Sequence, residues 1–401
     1  MSLQPIKVLH LIPTLSSGGG ERQLVNLVSS TSKEIVNHIV CVIGEADFFA
    51  PNIREAGCKV IEFEIFAKHS FLKAASKFRR IVREEKPDII HSWLYDANVS
   101  ARLGNLLNVS ARLGNLLNGK TPIVTSLQSS DYSPEARRAG NWNPRKVYAL
   151  RMIDKFTARL TKLYFVPCSE SVKNSYRLYY GIDESKTQVI YNSVNLNLLA
   201  TSEDDLKKLR RELALPADAF IYLNVGRLDK PKNHKILIEA FQKVALEIPN
   251  AYLLIAGAGD LENKLKEQAK DAKISEKVLF LGRRNDIGVL LEIADVFVFP
   301  SLLEGLPVAL VEAMFKSLPC IASRIEVFEE VVTNGETGLL INPASADELK
   351  DAMIELHKNE ARRKSLGENA FQQARAKFNT TVTAGQWEKF YQKVKSESEA
   401  L

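Results

Sequence analysis

Nearly from end to end, the chain alternates short runs of β-branched and aliphatic residues with longer amphipathic stretches. In the first half the runs are "IKVLHLI", "HIVCVI", "KVIEFEI", "DIIHSW", "PIVTSL", "LYFVPCS" and "QVIYN". In the second they are "AFIYLNV", "AYLLIAG", "KVLFLG", "DVFVFP", "PCIAS" and "GLLI". Strands that are apolar on both faces must be covered on both faces, and helix-length connections let consecutive strands lie parallel. The pattern therefore dictates an α/β fold, and its two series dictate two Rossmann-like, doubly wound parallel-sheet domains facing a central cleft. At 401 residues the chain exceeds one ordinary core and suits two. The polar stretch "NSVNLNLLATSEDDLKKLRRELALPADAF" separates the series. Strand carboxyl ends and helix amino ends converge on such a cleft, so the ligand is expected there.

Charge is unevenly shared. Through Asn195 there are 26 Lys+Arg against 17 Asp+Glu, a surplus of nine, and the remainder carries 28 against 31. The surplus is densest from Arg137 to Lys162, where eight basic residues meet one acid, Asp154. On a helix over 145–162, Arg151, Lys155, Arg159 and Lys162 share one stripe, and Leu150, Ile153, Phe156 and Leu160 share another. That pattern fits a helix on an anionic membrane surface, and equally a solvated face over a core stripe. No apolar run reaches the length of a membrane span, and the opening residues do not read as a secretory leader. Four cysteines and six histidines are dispersed without short-spaced pairs, which predicts reduced thiols, no metal site and no cofactor. The expected location is cytoplasmic, peripheral at the inner membrane face if the helix meets lipid.

"VSARLGNLLN" at 99–108 recurs unchanged at 109–118. Ten residues turn a helix by about 1000°, so the copies would be offset by about 80°. An extended helix, a bulged copy and a duplication without a role all remain open.

Three stretches carry candidate chemistry. "LIPTLSSGGGERQLVNLV" follows the first strand, and its glycines let backbone approach a ligand at a helix start that favours anions. "YLNVGRLDKPKNHKILIEAF" places Arg227 and Lys232 on the loop after the first strand of the second domain, two cations suited to a diphosphate. "DVFVFPSLLEGLPVALVEAM" ends a strand near Pro300, puts Glu304 in the following loop, Pro307 in the first turn of a helix and Glu312 inside it. Amides from Gly305 through Leu306 and Val308 to Ala309 supply positive potential, so the two acids are expected to bracket a nucleotide sugar by accepting from its hydroxyls.

These motifs, with "VIYNSVN" and "NGETGLLI", resemble the family-four retaining glycosyltransferases of GT-B fold, from the first strand to "GQWEKFYQKV". The resemblance implies an acceptor-side domain at 1–195, a nucleotide-sugar domain at 196–380 and a helix at 381–401 returning to the first. It implies that Glu312 binds the donor ribose, that Glu304 touches the donor sugar, and that Arg227 and Lys232 clamp the pyrophosphate. Gly19 and Gly20 match the family's first-domain glycine loop, and Arg283 the region near the base. Glu21, His91, Trp93 and Asp96 fall on the acceptor side. Two positions depart: Glu326 and Val327 stand where many members carry two glycines, and Asp96 where a histidine is frequent.

The resemblance implies a metal-independent hexosyltransferase acting with retention. It would move a sugar from a nucleotide diphosphate sugar, UDP favoured, to a hydroxyl of a glycan or lipid-linked acceptor in bacterial surface polysaccharide synthesis. No nucleic acid is expected as a partner. The sequence contains no Asp-x-Asp pair to bridge a metal to a diphosphate, so fixed cations and a helix start must meet the leaving charge. A catalytically degenerate GT-B protein acting as partner or scaffold is the alternative.

Overall fold

The structure, a computed structural model, describes residues 4–16, 18–67, 70–109, 121–130, 133–134 and 143–400. The chain divides into two compact units. The first runs through Ser193 and takes in the chain again from Thr380; the second is Val194–Asn379.

The first unit holds six parallel strands, β1 (Ile6–Ile12), β2 (Val36–Val42), β3 (Lys59–Glu62), β4 (Ile89–Trp93), β5 (Ile123–Leu127) and β6 (Leu163–Pro167), in the order β3-β2-β1-β4-β5-β6. The second holds β7 (Phe220–Val225), β8 (Ala251–Ala256), β9 (Val278–Gly282), β10 (Val296–Phe299), β11 (Cys320–Ser323) and β12 (Leu339–Ile341), in the order β12-β11-β10-β7-β8-β9. Counted from each unit's own first strand, the two orders are the same doubly wound arrangement. The order reverses between β1 and β4 and again between β7 and β10, and loops leaving those strands flank a crevice where such sheets take ligands.

Each sheet is apolar on both sides because both sides are covered. In the first core, Val8, Ile12, Leu24, Val40 and Ile89 pack with Trp387, Phe390, Tyr391 and Val394 of the helix Thr380–Glu399. In the second, Tyr222, Leu237, Phe241, Leu253, Val298 and Met353 form the equivalent cluster. Among the described residues, no helix is long and apolar enough to cross a membrane.

Three expectations meet a different local structure. "QVIYN" is not a seventh strand: it meets β6 only near the strand's end, Gln188 N donating to Phe165 O at 3.1 Å and Ile190 N to Pro167 O at 3.2 Å, too few bonds for a ladder. Pro307 is the residue before the helix Val308–Phe315, not in its first turn. Gly104 of the first repeat copy lies in the helix Leu94–Val109 and helps it to pack. A Cβ there would come within 2.9 Å of the Ala75 carbonyl, so glycine permits contact with the helix Phe71–Glu85. The choice between an extended helix and a bulged second copy lies outside the described residues.

Candidate functional site

The loop leaving β7 is fastened on both flanks. On one side Leu228 N donates to Ala258 O at 3.1 Å, and Leu261 N to Leu228 O at 3.0 Å. Gly257, at φ +147°, lets the β8 loop approach, since a Cβ there would stand 1.8 Å from the Gly226 carbonyl. On the other side Leu302 N donates to Pro231 O at 2.7 Å, and the Asn233 side-chain amide donates to Pro300 O at 3.1 Å and Pro343 O at 2.9 Å. Asn233 adopts a left-handed conformation, φ 58°, that ends the short turn Lys230–Lys232 and starts the helix His234–Glu247. This local geometry fixes where Lys232 stands.

Lys232 Nζ lies 2.5 Å from Glu304 Oε1 and 5.0 Å from the centre of the Phe299 ring. The two side chains are only 15% and 11% exposed. A recessed pair of this kind is held by mutual attraction against a desolvation cost, so a more highly charged anion can compete for the ammonium. Arg227 differs: it is 79% exposed and pairs with Asp229 at 3.0 Å. The sequence-predicted clamp therefore consists of one recessed and one solvent-facing cation. Glu312 is buried in the helix Val308–Phe315, with Leu306 buried and Gly305, Val308 and Ala309 half-buried at its start.

Arg283 is exposed beyond β9. Its neighbour Arg284, which sequence reasoning did not single out, holds Asp286 through Nε at 2.8 Å and Nη2 at 2.6 Å, and Glu212 through Nη1 at 2.6 Å. These bonds raise the Arg284 guanidinium and lower the Asp286 carboxyl from their usual values. Also missed was a polar group beneath the β7 loop. Asn224 Nδ2 donates to Val298 O at 2.7 Å, so its Oδ1 accepts from His234 Nε2 at 2.9 Å. Burial, and secondarily Lys232, lower His234 to about 4. Its Nδ1 and the Ser301 hydroxyl are buried without a hydrogen-bond partner among the described residues. The asparagine-histidine spacing was readable as polar residues in an otherwise apolar strand and helix start, but their meeting was not.

The corresponding loop of the first unit is organised by its own carboxylate. Glu21, in the first turn of the helix Gly19–Ser30, is buried and accepts from Thr14 Oγ1 at 2.9 Å and Ser16 Oγ at 3.5 Å. A Cβ on Gly18 would stand 2.2 Å from Glu21 Oε2, so the acid fills the space over the glycine loop. Gly19 is open, while Gly20 lies against Leu94, which follows β4 at φ 65°. Asp96 is half-buried in the first turn of the helix beyond it. Gln23 and Asn26 extend the tie: Gln23 Oε1 accepts from Ser193 N at 2.7 Å, and Asn26 Nδ2 donates to Ser193 O at 2.7 Å. They thereby fix "VIYNSVN" to the first helix.

His91 and Trp93, expected to line the acceptor side, are interior side chains. Alternation along β4 puts both on the sheet face covered by the helix Thr380–Glu399. His91 Nδ1 lies 2.7 Å from the Tyr391 hydroxyl and Nε2 2.8 Å from Ser126 Oγ. Trp93 Nε1 donates to His10 Nδ1 at 3.1 Å, which makes His10 Nε2 the donor to His38 Nδ1 at 2.8 Å. His38 Nε2 in turn donates to Thr31 Oγ1 at 2.8 Å, and that hydroxyl donates to Leu27 O at 2.9 Å. Every link is satisfied with neutral rings. Burial first, and neighbouring histidines second, hold His10 and His91 well below their usual value, and burial lowers His38 to about 3.

Among the described residues, no group of three or more His, Cys, Asp or Glu is arranged to hold a metal ion. A depression of about 530 Å³ runs beside β9, lined by Leu213, Lys266, Leu279 and Phe280 among others. It contains none of the candidate residues, and the strand-end geometry is the better guide to the site.

Two doubly wound domains, the second with cations and a helix start beyond its reversal point, define a GT-B protein. A family model described as "Glycosyl transferases group 1" matches residues 205–373, and one described as "Glycosyltransferase Family 4" matches 17–198. The chain belongs to the family-four, group 1 glycosyltransferases. It is 30% identical over 288 residues to the Escherichia coli UDP-Gal:alpha-D-GlcNAc-diphosphoundecaprenol alpha-1,3-galactosyltransferase, covering 71% of this chain and 70% of that one. It is 26% identical to the Campylobacter jejuni GalNAc-alpha-(1->4)-GalNAc-alpha-(1->3)-diNAcBac-PP-undecaprenol alpha-1,4-N-acetyl-D-galactosaminyltransferase, over 98% of this chain and 99% of that one. The fold matches Anabaena HepE in complex with UDP and glucose at a TM-score of 0.80 and 21% identity, covering 96% and 98%.

Proposed function

We propose that the chain transfers a hexose, with retention, from a UDP-sugar to a hydroxyl of a lipid-linked or glycan acceptor in surface polysaccharide synthesis. The observation that carries this reading is the recessed Lys232–Glu304 pair on loops fastened at the reversal point of the second sheet. The donor diphosphate takes the Lys232 ammonium from Glu304, with Arg227 and the start of the helix Val308–Phe315 adding positive potential. Glu304, released, accepts from a hydroxyl of the donor sugar, and Glu312 accepts from the ribose. Charge developing on the leaving diphosphate meets groups already in position, without a metal ion. The departing phosphate oxygen helps to take the proton of the attacking hydroxyl on the same face of the sugar. Arg283 lies towards the base. In the first unit, Gly19, Gly20, Glu21 and Asp96 serve the acceptor side, and His91 and Trp93 act beneath them by holding β4. Relatives named for UDP-galactose and diphosphoundecaprenol substrates, and the UDP-bound HepE fold, support the donor and acceptor classes.

The test is turnover. Lys232→Ala should lower kcat/KM by about a hundredfold, or about 3 kcal/mol, with the melting temperature retained. Near-wild-type turnover would remove Lys232 from the mechanism. Activity should survive chelation of divalent ions, and strict dependence on an added metal would overturn the metal-free step. A second reading, a transferase fold kept for binding, draws on Glu326 and Val327 opening the helix Glu326–Val331 in place of two glycines. UDP binding without turnover on any UDP-sugar and lipid-linked acceptor would favour it.

A further inference from the structure

The helix Pro144–Arg159 turns its apolar side outward. Its buried residues are Val147, Asp154 and Thr157. Asp154 is held by the buried guanidinium of Arg102, which donates to its carboxylate and, at 3.1 Å, to its carbonyl. The Tyr95 hydroxyl donates to Leu150 O at 2.8 Å. An ion pair and backbone bonds thus do much of the fastening usually left to an apolar stripe.

The opposite side carries Tyr148, Met152, Ile153, Phe156 and, just past the helix end, Leu160, all exposed and with Tyr148 and Phe156 each at 64%. At 100° per residue these five fall within an arc of about 140°. Ile153, Phe156 and Leu160 are the residues whose spacing fitted a core stripe, and they are not in the core. Arg145, Lys146 and Arg159 are exposed on the same helix, with Arg151 and Lys155 half-buried along it. The cations crowd one another: partial burial and then Arg151 and Arg159 lower the Lys155 ammonium. Nearby, Phe71 meets the Tyr95 ring at 5.9 Å, and the adjoining Leu72 is exposed.

A contiguous apolar surface of this kind marks an interaction site. Its interleaving with cations, while the segment's acid is taken up by Arg102, specifies an anionic partner with an apolar layer beneath its charge. We propose that this face seats the first unit on an anionic lipid bilayer, aromatic and aliphatic side chains entering the headgroup layer and the basic residues meeting lipid phosphates. The purpose of the contact, delivery of a lipid-linked acceptor, rests on the function proposed above.

Flotation of the full chain with vesicles tests it. Phosphatidylcholine vesicles containing phosphatidylglycerol should bind the protein at least about tenfold more tightly than phosphatidylcholine alone, and added salt should weaken that binding. Tyr148→Ser/Phe156→Ser and Arg145→Glu/Arg159→Glu should each lower vesicle affinity by about tenfold or more, with the melting temperature unchanged. UDP binding is measured on the same proteins. Wild-type protein that ignores anionic vesicles while binding UDP overturns the bilayer contact and leaves the function standing. Vesicle binding without UDP binding does the reverse. Variants that bind vesicles as wild type does, or that instead abolish self-association of the wild-type chain, overturn the assignment of this face to lipid.

Discussion

The two units share a strand order but place opposite chemistry beyond it. At the first reversal point the glycine loop is closed by its own carboxylate, Glu21, and the strands beneath carry a chain of neutral histidines. At the second, a lysine and an arginine stand in loops held by backbone bonds, and the nearby histidine is lowered partly by that lysine. The ion pairs sharpen the contrast. Arg102–Asp154 is 1% and 7% exposed, and Arg102 Nη1 also donates to the Asp154 carbonyl, so its geometry is over-determined. Lys232–Glu304 is joined by a single contact at the strand ends. A fold supplies the crevice, and the neighbours of each charge decide whether that charge serves structure or ligand.

Breaking each pair should separate the two roles. Arg102→Met leaves Asp154 buried without its partner and should cost about 3–5 kcal/mol of stability in chemical unfolding. A loss under about 1 kcal/mol would refute its structural role. Acid is the next largest effect. His10, His38 and His91 have folded values below the usual 6.5, so the unfolded chain takes up protons first as pH falls. The contribution is complete above about pH 6.5 and lost below it, at about 1.4 kcal/mol per histidine per pH unit. Fluorescence of Trp93 and Trp387, beside these rings, should report the first unit unfolding earlier at pH 5.5 than at pH 7.5. His38→Gln should flatten that dependence, and an unchanged slope would exclude His38 as a contributor. Glu21→Ala, which releases Thr14 and Ser16, should cost about 1–2 kcal/mol by the same measurement. Smallest of all, Lys232→Met should change stability by less than about 1 kcal/mol, because Glu304 at the strand ends can recover water.

The doubly wound fold was legible because continuous apolar runs such as "DVFVFP" and "AYLLIAG" admit little besides buried parallel strands. "QVIYN" misled because its composition matches a strand while its position gives it only the end of β6 to pair with. Of the site, Lys232 and Glu304 could be named from strand-end position, but their contact depends on Asn233 and Leu302 joining loops some seventy residues apart in sequence. His91 and Trp93 were identifiable as strand residues, whereas their burial follows from the helix Thr380–Glu399, nearly three hundred residues later. In the basic helix, spacing grouped Ile153, Phe156 and Leu160 correctly and could not tell which way they face. Asp154 decides that, through a partner fifty-two residues away.

The central claim is that Lys232 exchanges Glu304 for a nucleotide diphosphate. Calorimetric titration of UDP into the wild-type chain and Lys232→Met measures it directly. The account predicts saturable binding by the wild type, at least about tenfold weaker in the variant at an unchanged melting temperature. Equal affinity in the two proteins, or no binding by the wild type, would contradict it.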